Sequence, residues 1–155
     1  TNLLKRVALR TKVRTNTLFY DTYDVKEGET PEMIADKLYD DSQLHWVVLF
    51  VNNITDRYHQ WPMNFGQFNT FVNDKYTDIN AVHHYEITQT SGDTSISIDI
   101  GTDTTGYSEV DLTTITNYEF EIERQDTLRK IRLLDGAYIE QFVQEFETLM
   151  GASVL

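Results

Sequence analysis

The 155-residue sequence contains no cysteine, and only two prolines and seven glycines. The absence of cysteine excludes a disulfide framework, a zinc–thiolate site and a cysteine nucleophile. A membrane-spanning helix needs about 20 apolar residues, and the most apolar run covers only residues 46–51. The chain also lacks a Walker loop, a GxGxxG turn, HExxH and GxSxG motifs and an EF-hand loop. We therefore predict that the protein is not an enzyme and has no catalytic residue, cofactor or metal site.

Positive charge is scarce after residue 14. The net charge is -12, and the 13 - 5 = 8 bases beyond residue 14 face 25 acids, a net of -17. Such a surface repels nucleic acid and anionic lipid, so we expect neither partner. We predict that residues 1–17 form an extended basic arm that clamps onto an acidic protein neighbour, such as a copy of this chain; a partly ordered terminus is the alternative. The candidate interface residues of the arm are Lys5, Arg6, Arg10, Lys12 and Arg14.

The next segment is predicted to form a strand and a helix. Residues 18–26 are rich in aromatic and β-branched side chains, which favour a strand. Thr30 can cap a helix whose first residue is Pro31, where the missing N–H is not needed. The expected inward stripe of this helix consists of Ile34, Ala35 and Leu38.

A second helix is predicted over residues 44–51, which are apolar on almost every side. This pattern indicates a helix that is buried on most of its surface. His45 lies in it and is expected to be a hydrogen-bonded histidine of the core or of an interface. Asn52 and Asn53 can adopt the left-handed conformation that closes the helix.

Residues 54–63 form an aromatic loop with three candidate interface residues, Tyr58, His59 and Trp61. Tyr and Trp in such a loop are typical of interface anchors or of a platform on which sugars stack. The alternative is that they cover the apolar second helix as part of the core. Burying a tryptophan contributes about 2–3 kcal/mol, so Trp61 is not expected to remain exposed without a partner.

The second half of the chain mixes helix and strand signals. Asn64 and Gln67 resemble a capping box that opens a helix, and residues 85–100 alternate as a β-hairpin with one apolar face. A third strand is predicted near residues 109–115. Residues 116–127 fit either a strand or a helix. A short strand follows at residues 131–133, and Asp135 is predicted to cap a C-terminal amphipathic helix, with Ile139, Phe142, Val143, Phe146, Leu149 and Met150 on its apolar face.

The titratable clusters of the sequence do not predict chemistry. His83 and His84 are adjacent, and neighbouring strand residues point to opposite faces, so we expect solvated histidines and no shared metal. Asp93, Asp99 and Asp103 match no calcium loop. If residues 116–127 are a strand, the three glutamates at positions 119, 121 and 123 share one face, which is then solvated or faces a basic strip of a partner.

Several motifs of the first half resemble a LysM module. They are Y-D-V-K-E-G-E-T-P at residues 23–31, I-A at residues 34–35, and a tryptophan followed six residues later by asparagine, at Trp46 and Asn52. The resemblance covers about thirty residues. It implies a strand, two short helices and a closing strand.

A larger pattern is similar to the baseplate wedge subunit of contractile-tailed phages, the gene product fifty-three family of T-even-type viruses. The motifs are I-A-D-K-L-Y, H-W-V-V-L-F-V-N-N-I, D-R-Y-H-Q-W-P, T-N-Y-E-F-E, L-R-K-I-R-L-L and a final F-V-Q-E-F. The implied fold is α+β: a LysM-like βααβ core that closes at residues 130–134, a long insertion with a helix and an antiparallel hairpin, and a C-terminal amphipathic helix. The expected bounds are 18–150 for a single wedge domain, about 55–127 for its insertion, and 151–155 for a tail.

This resemblance implies a structural role in the virion, at the tail baseplate, with the host cytoplasm as the place of assembly. The chain would hold wedge subunits together during tail assembly, with other wedge and hub proteins as partners and copies of itself as a further possibility. The alternative function is a LysM-type module that binds carbohydrate such as peptidoglycan. That reading is weakened because Asn53 leads into a long aromatic segment and not into a Pro-Gly turn and closing strand.

Overall fold

The structure, a computed structural model, describes residues 17–151 as two compact units. The first unit consists of the described residues up to Pro62 and those from Leu128 onward, and the second unit is Met63–Thr127. The α+β class is confirmed, whereas the bounds expected for the wedge domain, its insertion and the tail stay predictions. The elements in chain order are β1 (Tyr20–Asp24), α1 (Pro31–Tyr39), α2 (His45–Val51), α3 (Arg57–Gln60), α4 (Phe65–Lys75), β2 (Val82–Ser91), β3 (Thr94–Gly101), β4 (Leu112–Thr116), α5 (Asn117–Arg129), β5 (Lys130–Leu134) and α6 (Ile139–Gly151).

A two-stranded antiparallel sheet joins the beginning of the first unit to its later part. The register sets Tyr20 of β1 opposite Leu134 of β5, and Asp24 opposite Lys130. Helices α1 and α2 follow β1 in the chain, and β5 is the strand that returns to it. The first unit therefore contains α1, α2 and the short α3 between two paired strands, with the second unit inserted in the chain before the second strand.

Two side chains occupy part of the outer edge of β5. The Asn52 amide donates from Nδ2 to the Arg132 carbonyl at 2.7 Å and accepts from the Arg132 N–H at 2.9 Å. The Tyr39 hydroxyl donates to the Leu134 carbonyl at 2.8 Å. An open strand edge invites pairing with another chain. Asn52 and Tyr39 satisfy these edge groups in place of a further strand.

The first unit has an apolar core between its helices and its sheet. Ile34 and Ala35 of α1 are fully buried there, as predicted. The expectation for Leu38 is wrong, because its side chain is 42% exposed. The last turn of α1 directs Tyr39 toward the core instead. The other buried members of this cluster are Val25, Val48, Trp61, Ile131 and Leu133. A second buried cluster consists of Val47, Val51 and Leu134.

Helix α6 packs against α2 through aromatic rings. The ring centroids of Trp46 and Phe146 are 4.6 Å apart, and those of Phe50 and Phe142 are 5.8 Å apart. Aromatic pairs at such distances add to the free energy of burial. The predicted C-terminal helix is confirmed, although Asp135 caps the short 3₁₀ turn Gly136–Tyr138 that precedes α6.

Local caps begin α1 and end α2 as the sequence predicted. The Thr30 side chain accepts a hydrogen bond from the Met33 N–H, and Pro31 is the first residue of α1. Helix α1 ends at Tyr39, its C-cap Asp40 has φ 54, and Asn53 after α2 has φ 56. Asn and Asp adopt this left-handed conformation more readily than other non-glycine residues.

The second unit contains α4, a three-stranded antiparallel sheet of order β3-β2-β4, and most of α5. The capping box of Asn64 and Gln67 and the β2–β3 hairpin are both confirmed. The apolar face of the hairpin is weak, since Ile96 is 60% exposed. None of the helices between residues 17 and 151 combines the length and apolarity needed to cross a membrane.

The segment that fitted either a strand or a helix forms helix α5. The Thr116 N–H donates to the Glu119 carboxylate at 2.8 Å, and the Glu119 N–H donates to the Thr116 hydroxyl at 3.2 Å. This reciprocal pair is a capping box, which stabilises the first turn of a helix. The predicted strand before it is also present, as β4.

Candidate protein-interaction surfaces

Trp61 lies in the core of the first unit. Its side chain is 7% exposed and belongs to the same cluster as Ile34 and Ile131. The indole Nε1–H donates to the Glu29 carbonyl at 2.9 Å, which satisfies its polar atom. Of the two interpretations of the aromatic loop, burial in the core is therefore the one that holds for Trp61.

Tyr58 and His59 extend from α3 into solvent. Tyr58 is 87% exposed, and the His59 side chain is also exposed. The Asp56 carboxylate caps α3 by accepting from the Tyr58 N–H at 2.9 Å, and its other oxygen contacts His59 Nδ1. The hydrogen bond from His59 holds the pKa of Asp56 below its ordinary value. The short helix thus presents a tyrosine ring on a locally ordered turn, a typical arrangement for an interface anchor.

An ion pair connects α3 to α1. The Arg57 guanidinium contacts both carboxylate oxygens of Glu32. Burial alone would raise the pKa of Glu32, but hydrogen bonds from backbone, Thr30 and Arg57 outweigh burial and hold this pKa below its ordinary value. Bidentate arginine–carboxylate pairs fix orientation as well as contributing energy. Together, Arg57 and Trp61 hold both ends of α3 against the first unit.

The other predicted interface residues form the basic arm. Lys5, Arg6, Arg10, Lys12 and Arg14 lie outside the described residues. Their role in an interface stays a prediction. His45 is described: it is half-buried, and its Nδ1 lies 3.1 Å from the Ser42 carbonyl, so the hydrogen bond expected for this histidine is present.

The prediction that His83 and His84 are solvated and point to opposite faces is wrong. His84 is only 6% exposed, and the Nδ1 atoms of His83 and His84 lie 2.9 Å apart, so the rings meet and do not point to opposite faces. The pairing register of β2 with β4 shifts between Val82 and His84, and such an irregularity breaks strict alternation. The His83 ring also stacks on Phe120 at 3.8 Å. Within the described part of the chain, no three His, Asp or Glu side chains are grouped to hold a metal ion.

The condition under which three glutamates would share one strand face is not met, because residues 119–123 are helical. Glu121 is fully buried, and its Oε1 accepts hydrogen bonds from the Lys75 ammonium and the Tyr76 hydroxyl. The Arg124 guanidinium lies 3.8 Å from Oε2. Burial alone would raise the pKa of Glu121, but these hydrogen bonds and positive charges outweigh it and hold the pKa below its ordinary value.

The charge distribution of the second unit contains a feature that the overall charge count missed. No lysine or arginine occurs between Lys75 and Arg124, a stretch that contains ten acidic residues. We call this stretch the acidic run. Eight of its acidic residues are exposed, whereas Glu86 is half-buried and Glu121 is buried. The exposed members are Asp78, Asp93, Asp99, Asp103, Glu109, Asp111, Glu119 and Glu123.

Comparison with known proteins places this chain among the structural proteins of phage tails. Residues 1–96, more than half of the chain, match the family model described as base plate wedge protein 53. The chain belongs to that family. The baseplate wedge protein gp53 of Enterobacteria phage T4 is 23% identical over 145 residues, which cover 85% of this chain and 74% of that protein.

The predicted resemblance is therefore confirmed at the level of the family. As a member of it, the chain is a structural component of the phage tail baseplate and thus of the virion.

Proposed function

We propose that this chain holds baseplate wedge subunits together during tail assembly. It acts through protein contacts and not through catalysis, and its partners are other wedge and hub proteins. The proposed core is LysM-like, made of β1, α1, α2 and β5, and it serves as the rigid base for the contact elements. The basic arm and the Tyr58 side chain are the proposed contacts.

The observation that carries this proposal is the exposure of Tyr58 on an anchored helix. A tyrosine that is 87% exposed leaves apolar ring surface in water. The neighbouring Trp61 and Arg57 contact the rest of the first unit, so the backbone that carries the ring is fixed before a partner arrives. Tyrosine is enriched among the residues that dominate interface energetics, and pre-positioning reduces the entropy lost on binding.

The test is complementation of a phage that lacks this gene. We expect Tyr58→Ala to reduce the number of complete tails about tenfold, since an interface hot spot contributes more than 1 kcal/mol. Electron microscopy counts the tails, and mass spectrometry of purified baseplates detects the chain. Tyr107→Ala is the matched control, because Tyr107 is an exposed tyrosine of the second unit.

Normal tail numbers with both variants would contradict the role of Tyr58. Purified baseplates without the chain would contradict the assembly function altogether. Binding of peptidoglycan or chitin fragments by the free chain, together with its absence from baseplates, would instead favour the LysM-type carbohydrate function.

A further inference from the structure

The tip of the β2–β3 hairpin extends beyond the three-stranded part of its sheet. β4 pairs with β2 only over residues 82–87, so residues 88–97 form a two-stranded ribbon. Every side chain from 88 to 97 is exposed. Because a two-stranded ribbon without packing is only marginally stable in water, a further strand would stabilise it.

The outer edge of β3 offers the backbone groups for such a strand. Ser91 and Thr94 close a two-residue turn with Gly92 at φ 61. From that closing pair onward, hydrogen-bonded pairs alternate with non-hydrogen-bonded pairs. Ser95 and Ser97 belong to non-hydrogen-bonded pairs, so their backbone N–H and C=O groups point away from β2. Between residues 17 and 151, no strand pairs with this edge.

This edge also lacks the features that usually protect an edge strand. Residues 94–98 contain no charged residue and no proline. The register shift of the hairpin lies beyond these residues, where β3 is opposite Tyr85 and Glu86 of β2. Natural edge strands are normally protected by charge, proline or bulges. The absence of all three along these residues favours pairing with another strand.

Charge favours a basic strand as the occupant. Asp93 and Asp99 flank residues 94–98 and are both exposed, and the acidic run around them contains no lysine or arginine. Opposite charges on adjacent strands stabilise pairing, whereas an acidic strand would be repelled.

The chain itself contains a segment with the required pattern. From Arg6 to Arg14, the even positions carry Arg, Ala, Arg, Lys and Arg, and the odd positions carry Val, Leu, Thr and Val. This period of two is that of a strand with one basic and one apolar face. Exchange of a segment between identical chains is a low-cost route to association.

We propose that residues 6–14 of one copy of this chain add as a strand to the outer edge of β3 of a second copy. This inference rests on the proposed assembly function and specifies one of its contacts. Pairing at the outer edge of β3 is a specific contact, whereas a general attraction between the basic arm and an acidic surface would not require this strand edge.

Disulfide trapping tests the contact directly, since the chain has no cysteine of its own. A chain with Ala8→Cys is mixed with a tagged chain with Ser95→Cys and mildly oxidised, because Ala8 is the small residue on the basic face of the segment and Ser95 lies on the same face of β3 as Asp99. We expect a disulfide-linked heterodimer on a non-reducing gel. Thr113→Cys is the matched control, because Thr113 is an equally exposed residue of β4 at the opposite edge of the sheet.

A charge variant tests the electrostatic part. Asp93→Lys in the chain with Ser95→Cys should reduce heterodimer formation about tenfold, because the basic segment then meets a positive charge. Glu147→Lys in α6 changes the net charge equally and should leave heterodimer formation unchanged. Restoration by Arg10→Glu in the other chain would support a direct contact.

Three outcomes would overturn the inference. They are equal trapping by Thr113→Cys, no trapping by Ser95→Cys, and a disulfide that forms only within a chain carrying both Ala8→Cys and Ser95→Cys. The wedge function is tested separately by the presence of the chain in purified baseplates. A chain that is incorporated into baseplates but never trapped would refute this contact and leave the assembly function intact.

Discussion

The first unit and the second unit bury different kinds of side chain. Buried residues of the first unit are apolar, with Trp61 as the largest, whereas those of the second unit include His84, Glu121 and Gln125 beside Phe68 and Val72. Apolar burial is non-directional and scales with area. A buried carboxylate requires each of its partners in place. The first unit therefore depends on buried volume, and the second depends on specific hydrogen bonds.

The largest expected effect is that of removing the tryptophan from the first unit. Trp61→Ala should lower its free energy of unfolding by about 3–5 kcal/mol, because it leaves a cavity and an unsatisfied Glu29 carbonyl. Urea denaturation measures the loss, and amide exchange in β5 assigns it to the first unit. Trp61→Phe is the control and should lose about half as much. A loss below about 1 kcal/mol for Trp61→Ala would show that volume is not what stabilises this unit.

Removal of one ion-pair partner should have the next largest effect. Lys75→Met leaves the buried Glu121 carboxylate without its ammonium and should cost about 3 kcal/mol in urea denaturation. Lys130→Met, at an exposed lysine, should cost less than about 0.5 kcal/mol. The double variant Lys75→Met with Glu121→Gln should recover part of the loss. Equal losses of unfolding free energy for Lys75→Met and Lys130→Met would show that the second unit does not depend on its buried ion pair.

Alkaline pH should destabilise the first unit through Tyr39. Burial, assisted by the charges of Asp135 and Asp21, raises the pKa of Tyr39 to about 12. An unfolded tyrosine titrates near pH 10, so above that pH the unfolded state releases a proton that the folded state retains. The contribution of Tyr39 to the free energy of unfolding is therefore complete below about pH 10. It is lost as pH rises through about 12.

We expect this loss to be about 2 kcal/mol, less than the full shift implies because the side chain is partly exposed. Denaturation from pH 9 to 12, compared with Tyr39→Phe, isolates the contribution from those of the lysines. Parallel curves for the two proteins would contradict the assignment to Tyr39.

The smallest expected effect has the opposite sign. Among the described residues, the buried hydroxyl of Tyr20 has no hydrogen-bond partner, and burial raises its pKa. Tyr20→Phe should therefore stabilise the first unit by up to about 1 kcal/mol, since an unpaired buried hydroxyl is unfavourable. Thermal unfolding measures the gain, with Tyr39→Phe as a destabilised comparison. A clear loss of stability in Tyr20→Phe would indicate that its hydroxyl has a partner.

Sequence reasoning succeeded where a single local contact decides the outcome. The cap at Thr30, the capping box at Asn64 and the left-handed Asn53 were all predicted, and each depends on residues within about one helical turn. It failed for His83 and His84, because a shift of strand register changed the direction of the rings. It also failed for Leu38, which is exposed, because Tyr39 packs against the core in its place.

Local residue patterns and the order of motifs were sufficient to predict the α+β class, the helix ends that caps specify, and the family. The sequence predicted the burial of Ile34 and Ala35, whereas the burial of Trp61 and Glu121 follows only from the packing of distant elements. Trp61 finds its acceptor at Glu29, 32 residues away, and Glu121 finds Lys75 at a separation of 46. Burial and pairing depend on which distant elements pack together, and a local sequence pattern does not specify this packing.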